Sequence, residues 1–249
     1  AVTLSMETVE DVVHNAVSGE WNIPEFQRRF VWRGEKVKAL ADSIVKDYPI
    51  GVFLIWKPHH LYPYARSASE SGYMSWIVDG QQRIASLCLL YGRKPHWMDA
   101  EEWDRHFKRI DVLFNVNPQD HMEFALRNPI LSKEAKWISV REIVQKKEDE
   151  LGELATHVCE KTGLKESYPQ VYDRIHRVWG IGSKSILLKE LHHEIEDVTE
   201  IFTIINRAGT RVREAETYVA LVARKKPGWV KDQFIRFAKE TRRKGFDLH

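Results

Sequence analysis

The chain is short of the features that mark secreted, membrane-spanning or disordered proteins. Only two cysteines occur in 249 residues, Cys88 and Cys159. Each falls in a helix-like apolar pattern, which predicts packed thiols in a reducing interior and not a disulfide or a metal pair. No apolar run reaches the ~18 residues of a membrane span. The N-terminal stretch alternates acids with valines where a signal peptide would carry an apolar core. Cytoplasmic location with no membrane contact is therefore expected. Internal repeats and low-complexity tracts are missing as well. Net charge is nearly absent: 38 Lys and Arg face 36 Asp and Glu, leaving +2, a balance that names no partner. What remains, 43% hydrophobic and 30% charged residues, is the composition of a globular protein. At this length a core can be buried without a disulfide or metal staple.

The small net charge hides an asymmetry. Residues 201–249 carry 12 Lys and Arg against 5 acids, or +7, so residues 1–200 carry 26 against 31, or −5. The end is the basic part. Arg224, Lys225, Lys226, Arg242, Arg243 and Lys244, interleaved with Tyr218, Trp229 and Phe234, form a candidate DNA-backbone surface. Such contacts would give affinity without sequence specificity. A solvated helix face is the competing reading.

Periodicity orders the chain. Val9, Val12, Val13 and Ala16 predict a helix over 7–18, stopped by Gly19, followed by a short extended segment over 20–24. Helical spacing resumes from Glu35 and cannot pass Pro49. The unbroken apolar run 52–56 predicts a strand buried on both faces. Residues 58–73, with prolines, serines and a glycine, read as a surface loop. A strand over 74–78 meets Asp79-Gly80, and a helix marked by Ile84, Leu87, Cys88 and Tyr91 closes at Gly92. Strands are predicted over 110–116 and 122–126, forming a hairpin around Pro118. Ser139 and Glu142 predict a capping box for a helix starting near Val140. Beyond it, helical patterns occupy 150–162, 169–179, 196–207, 213–225 and 229–243, with a strand over 186–191. The expected organisation is a mixed α/β part over 1–130 and a mostly helical part over 131–249, basic at its end.

The most specific feature is Asp79-Gly80-Gln81-Gln82-Arg83, set between an apolar strand and the start of an amphipathic helix. Unpaired backbone N–H groups and the positive end of the helix dipole suit an anion there, and glycine permits close approach. Arg83 would add a planar cationic fork, Gln81 and Gln82 would donate amide hydrogens, and Asp79 would hold a hydrated Mg²⁺ or order a water. The alternative is a plain turn with a solvated helix start. A second cluster, Ile23-Pro24-Glu25-Phe26-Gln27-Arg28-Arg29-Phe30-Val31-Trp32, offers guanidinium groups from Arg28 or Arg29, an amide from Gln27 and aromatic faces from Phe30 or Trp32. In the alternative, Phe26, Phe30 and Trp32 staple the loop to the next helix and the arginines are solvated.

These blocks, the helix ending Asp42-Ser43-Ile44-Val45-Lys46-Asp47-Tyr48-Pro49-Ile50-Gly51, and a third motif, Phe202-x-x-Ile205-Asn206-x-x-Gly209-Thr210, resemble the N-terminal domain of the GmrSD restriction proteins. They span 21–92 and 198–222; residues 93–197 do not align by eye. The resemblance implies a ParB/sulfiredoxin-like nucleotide-binding fold that binds and hydrolyses a nucleoside triphosphate with Mg²⁺, in defence against modified foreign DNA. It also implies site residues. Asp79, Gly80, Gln81, Gln82 and Arg83 would form the phosphate loop, with Asp79, Gln82 and Arg83 in catalytic roles and Asp79 near the metal. Gln27 and Arg28 would form the opposing wall, and Asn206 would be a further contact. The implied partners are a nucleotide, DNA, and an HNH-type nuclease domain or subunit. Pairing with a second copy stays open, as does a non-catalytic role in which the domain senses nucleotide or DNA and controls a nuclease. No nuclease module follows Gly209, so DNA cleavage by this chain is not expected.

Several features are decoys. Gly180-Ile181-Gly182-Ser183-Lys184-Ser185 lacks the upstream glycine of a phosphate-binding P-loop. His59-His60 and His192-His193 lack spaced partners for a metal. Cys88 lies on the apolar face of its helix and not in the phosphate loop where sulfiredoxin-like chemistry would need it.

Overall fold

A computed structural model describes residues 2–23, 29–58 and 75–209, without the side chains of 195, 196, 199 and 206–209. The elements are β1 (Val2–Thr8), α1 (Val9–Ser18), β2 (Trp21–Asn22), α2 (Gly34–Val45), β3 (Phe53–Trp56), β4 (Ser75–Asp79), α3 (Gln81–Tyr91), α4 (Ala100–Arg109), β5 (Val112–Asn115), β6 (Phe124–Leu126), β7 (Trp137–Ser139), α5 (Val140–Val144), α6 (Leu151–Thr162), α7 (Tyr168–Trp179), β8 (Ser185–Leu191) and α8 (Ile195–Gly209). The mixed α/β class expected from the sequence is borne out. Among the described residues, no helix is long and apolar enough to cross a membrane.

Five strands form a mixed sheet in the order β1-β8-β3-β4-β2, and β6-β5-β7 form a second, antiparallel sheet. β1 pairs antiparallel with β8 over seven residues, from Val2 opposite Leu191 to Thr8 opposite Ser185. β8 then runs parallel to β3. The apolar run in β3 follows from its position in the middle of the sheet. Phe53 and Ile55 join the main core, while Leu54 and Trp56 join Trp76, Val78, Leu191, Val198 and Phe202 on the opposite face, where α8 lies. Alternate residues of a strand point to opposite faces, so a strand covered on both sides needs apolar residues throughout.

The helices begin and end where local chemistry directs. Thr8 caps α1 by accepting the Asp11 N–H at 3.1 Å, and the Asp11 carboxylate takes the Thr8 hydroxyl at 2.7 Å. Gly19 ends the helix with φ 87°, and Val9, Val12, Val13 and Ala16 are buried as their spacing predicts. The box predicted at Ser139 does not form. Ser139 precedes α5 without capping it, because its hydroxyl donates instead to Asp111 Oδ1 at 2.6 Å. The side-chain position that reaches Asp111 does not bring Ser139 Oγ to the first amides of α5.

The boundary expected near residue 130 has a continuous core running across it. Val9, Val37, Ile84 and Phe114 share one cluster with Val140, Leu151, Ile175, Ile181 and Leu188, and β8 lies between β1 and β3. Sequence-distant strands thus close the first sheet. The helices predicted over 213–225 and 229–243 lie outside the described residues, as does the loop predicted over 58–73 beyond Pro58.

Because Leu188 joins the two halves of the chain, Leu188→Ala is expected to cost about 2–5 kcal/mol, read as a lowered urea midpoint. The wild type should unfold in one transition. Two resolved transitions, with only one moved by the substitution, would count against a shared core.

Candidate functional site

The site grows from the junction between β4 and α3. Asp79 is the last residue of β4, and Gly80 turns the chain with φ 103° directly into α3. That left-handed conformation is open to glycine and strained for other residues. A side chain there would also meet Phe53, with a Cβ only 2.9 Å from its ring. α3 consequently starts with no side-chain cap and no acid in its first turn. An uncapped amino end with no carboxylate in its first turn, and with the preceding Asp79 paired to Arg83, is an electrostatic setting that suits an anion.

The two side chains expected to reach outward are turned toward the protein. Gln82, 9% exposed, accepts the N–H groups of Val31 at 2.9 Å and Trp32 at 3.3 Å through Oε1, and donates through Nε2 to the Arg29 carbonyl at 3.0 Å. One carboxamide therefore fixes the turn that follows Arg28. Phe30 is buried and Trp32 packs on the core, with Lys36 Nζ 5.5 Å over the Trp32 ring, so these two aromatics staple the loop to the body.

Arg83 is likewise engaged. Its Nη1 donates to the Ile50 carbonyl at 2.8 Å, and its Nη2 donates to the Val52 carbonyl at 3.2 Å and to Asp79 Oδ2 at 3.0 Å. These bonds use three of the five N–H groups of a guanidinium. The group also lies 4.8 Å from the centre of the Phe53 ring. Burial lowers its pKa from the usual guanidinium range while Asp79 opposes the shift, and a guanidinium keeps its charge in proteins. Gly51, with φ 89°, makes room: a Cβ there would collide with Nη1. Arg83 thus clamps the approach to β3 against the β4–α3 junction. Asp79 keeps 46% of its side-chain surface exposed, and Gln81 is buried at 5%.

Two contributors escaped the sequence reading. Glu102 and His106, one turn apart on α4, face the same turn. Glu102 accepts the Phe30 N–H and sits near Arg29; burial raises its carboxyl above 4.5 despite both. His106 is 6% exposed, and neither ring nitrogen has a hydrogen-bond partner. Its ring meets Phe30 edge-on at 4.8 Å and 85°. Burial, together with Arg105 and Arg109, lowers its pKa from 6.5 to about 4. The 3-and-4 spacing of Trp103, His106, Phe107 and Ile110 was the signal available for α4.

The remaining candidates separate cleanly. Gln27 and Arg28 lie outside the described residues, as do Arg224, Lys225, Lys226, Arg242, Arg243 and Lys244. Asn206 lies on α8, which packs on the sheet face opposite the main core; its side chain is not described. Cys88 is fully buried, which pushes its thiol up to about 12 and removes it from thiolate chemistry. Residues 180–183 form a short 3-10 turn, not a phosphate loop. His192 Nε2 lies 3.1 Å from Thr3 Oγ1. Among the described residues, no three His, Cys, Asp or Glu side chains gather to hold a metal.

With this geometry in view, comparison with known proteins defines the class. The chain matches the family described as GmrSD restriction endonuclease, N-terminal domain, over residues 9–223. It belongs to that family. A stretch of 89 residues is 35% identical to an uncharacterized protein of Methanocaldococcus jannaschii, covering 31% of this chain and 15% of that protein. The chain therefore spans a small part of that relative.

Two outcomes follow from the site. Gln82→Ala strips the partners from three backbone groups, each worth about 1–3 kcal/mol when left unpaired and buried. Hydrogen exchange at Val31 and Trp32 should accelerate well beyond the rest of the core; unchanged protection there would remove Gln82 from its role. For His106, the unfolded ring gains its proton near pH 6.5 and the folded ring only near pH 4. The unfolded state binds more protons in between, so stability should fall as pH drops from about 6.5 to about 4. His106→Leu should flatten that slope in urea titrations across the window, and an unaltered slope would assign it elsewhere.

Proposed function

We propose that this domain binds a nucleoside triphosphate, with the phosphates at the amino end of α3, and hydrolyses it as the regulatory part of a restriction system. The observation that carries the reading is the uncapped, acid-free start of α3 behind the left-handed Gly80, set beside a turn that Gln82 holds in place. Family membership supports it. Backbone N–H groups and the helix dipole would meet the phosphate oxygens, and Arg28 would supply the positive charge that the engaged Arg83 does not.

Arg83 keeps a different role in this scheme. Held by Ile50, Val52 and Asp79, it fixes the loop geometry and sets the orientation of the Asp79 carboxylate. The partly exposed Asp79 is suited to a magnesium ion, which commonly binds through one or two carboxylates, water and substrate phosphates. Bound there, Mg²⁺ would neutralise charge developing on the transferred phosphoryl group. Asp79 would hold it, and the α3 amides would orient the oxygens. The basic residues 224–226 and 242–244 would contact DNA backbone.

The engaged state of Arg83 favours a second reading, a non-catalytic module that senses nucleotide or DNA and controls a nuclease partner. Melting temperature measured with each of the four ribonucleoside triphosphates and Mg²⁺ separates the possibilities. A bound nucleotide stabilises by about 2.7 kcal/mol at a hundredfold excess over Kd. A shift with wild type that is lost in Arg28→Ala is expected, and absence of any shift rejects nucleotide binding. Phosphate release that disappears in Asp79→Asn, with the shift retained, supports hydrolysis. Binding without release leaves the sensor.

A further inference from the structure

His106 poses a physical problem that the phosphate site does not solve. A neutral imidazole carries one donor and one acceptor, and in His106 both nitrogens are buried without a partner. Such groups are rare in folded proteins because each forfeits its bonds to water. An apolar side chain at this position would avoid the loss.

The surroundings define what would satisfy it. His106 lies under the edge of Phe30, and one helical turn earlier Glu102 accepts the Phe30 N–H beside Arg29. The neighbouring residues of the same turn, Arg29, Val31 and Trp32, are bonded to Gln82 in the first turn of α3. α3 and α4 therefore grip one four-residue turn from two sides. The ends of this arrangement differ in charge character. The α3 end has amides, with its nearby carboxylate, Asp79, paired to Arg83, while the α4 end presents a carboxylate and an uncharged imidazole. A carboxylate repels phosphate but accepts from hydroxyl groups, and an imidazole pairs with a group that both donates and accepts.

We propose that Glu102 and His106 form the nucleoside-holding end of the site, taking ribose hydroxyls or a base edge while the phosphates lie at α3. This rests on the nucleotide reading above and adds the orientation of the ligand. The Phe30 ring covers His106 in the free protein and rotates aside when the nucleoside enters. The unpartnered nitrogens are thus a strain present before binding and relieved by it, as buried polar groups at binding sites commonly are.

The test pairs stability with binding in His106→Leu and His106→Gln. Leucine removes the unpartnered nitrogens, so melting temperature without ligand should rise, while affinity for the preferred triphosphate falls roughly tenfold, the loss expected for one well-made hydrogen bond. Glutamine keeps a donor and an acceptor and should restore most of the affinity. Inorganic triphosphate, which lacks the nucleoside, should bind wild type and His106→Leu equally. If leucine leaves nucleotide affinity unchanged, the proposal fails while nucleotide binding stands. If leucine lowers the melting temperature of the free protein, His106 is a satisfied structural residue and the proposal fails. If no triphosphate binds the wild type, both readings fall together.

Discussion

The site depends on one carboxamide. Gln82 stands in the first turn of α3, and its side chain takes two N–H groups and one carbonyl from a turn some fifty residues earlier in the chain. Without it, residues 29–32 would lose the bonds that tie them to the start of α3. The neighbouring Arg83 performs the matching task on the other side, drawing Ile50 and Val52 to Asp79. Two consecutive polar residues thus gather both flanking segments around the start of α3. The motif acts on the fold through this gathering, and in the proposed reading the helix amides would be the groups that meet phosphate.

That division of labour changes how a polar motif is understood. Arginine and glutamine next to a glycine turn suggest side chains reaching for phosphate, yet Gln82 bonds to backbone groups and Arg83 to two carbonyls and the Asp79 carboxylate. Such bonding gives each of these backbone groups a partner within the protein. Gly51 and Gly80 belong to the same construction, one leaving space for the Arg83 guanidinium and the other bringing the chain close to Phe53. A larger residue at either position would disturb the clamp before it touched any ligand.

Most elements were legible because burial imposes a period. α1, α2, α3, α6, α7, β3, β4 and β8 follow directly from apolar spacing and from the glycines that end α1, α3 and α6. β1 was missed because it is an edge strand whose alternate residues Leu4 and Met6 remain exposed, so its pattern reads as surface. α4 was missed because only Trp103 and His106 of its ten residues are buried, too few for a clear stripe. At Ser139 the capping signal was present, but Asp111, distant in sequence, captured the hydroxyl. The position of the candidate site was readable from strand, glycine and helix. The partners of Gln82, and the Ile50 and Val52 partners of Arg83, were not, because they are backbone groups far along the chain and leave no local trace. Glu102 and His106 were missed with the weakly striped α4 that carries them.

The central claim is that phosphate meets the amides at the start of α3. Amide nitrogen and proton shifts, followed by NMR while a triphosphate and Mg²⁺ are titrated into the protein, test this directly. The account predicts the largest changes at Gly80, Gln81, Gln82 and Arg83, with smaller ones at Phe30 and across α4. Saturable changes that leave Gly80 to Arg83 untouched and cluster on another surface would contradict it.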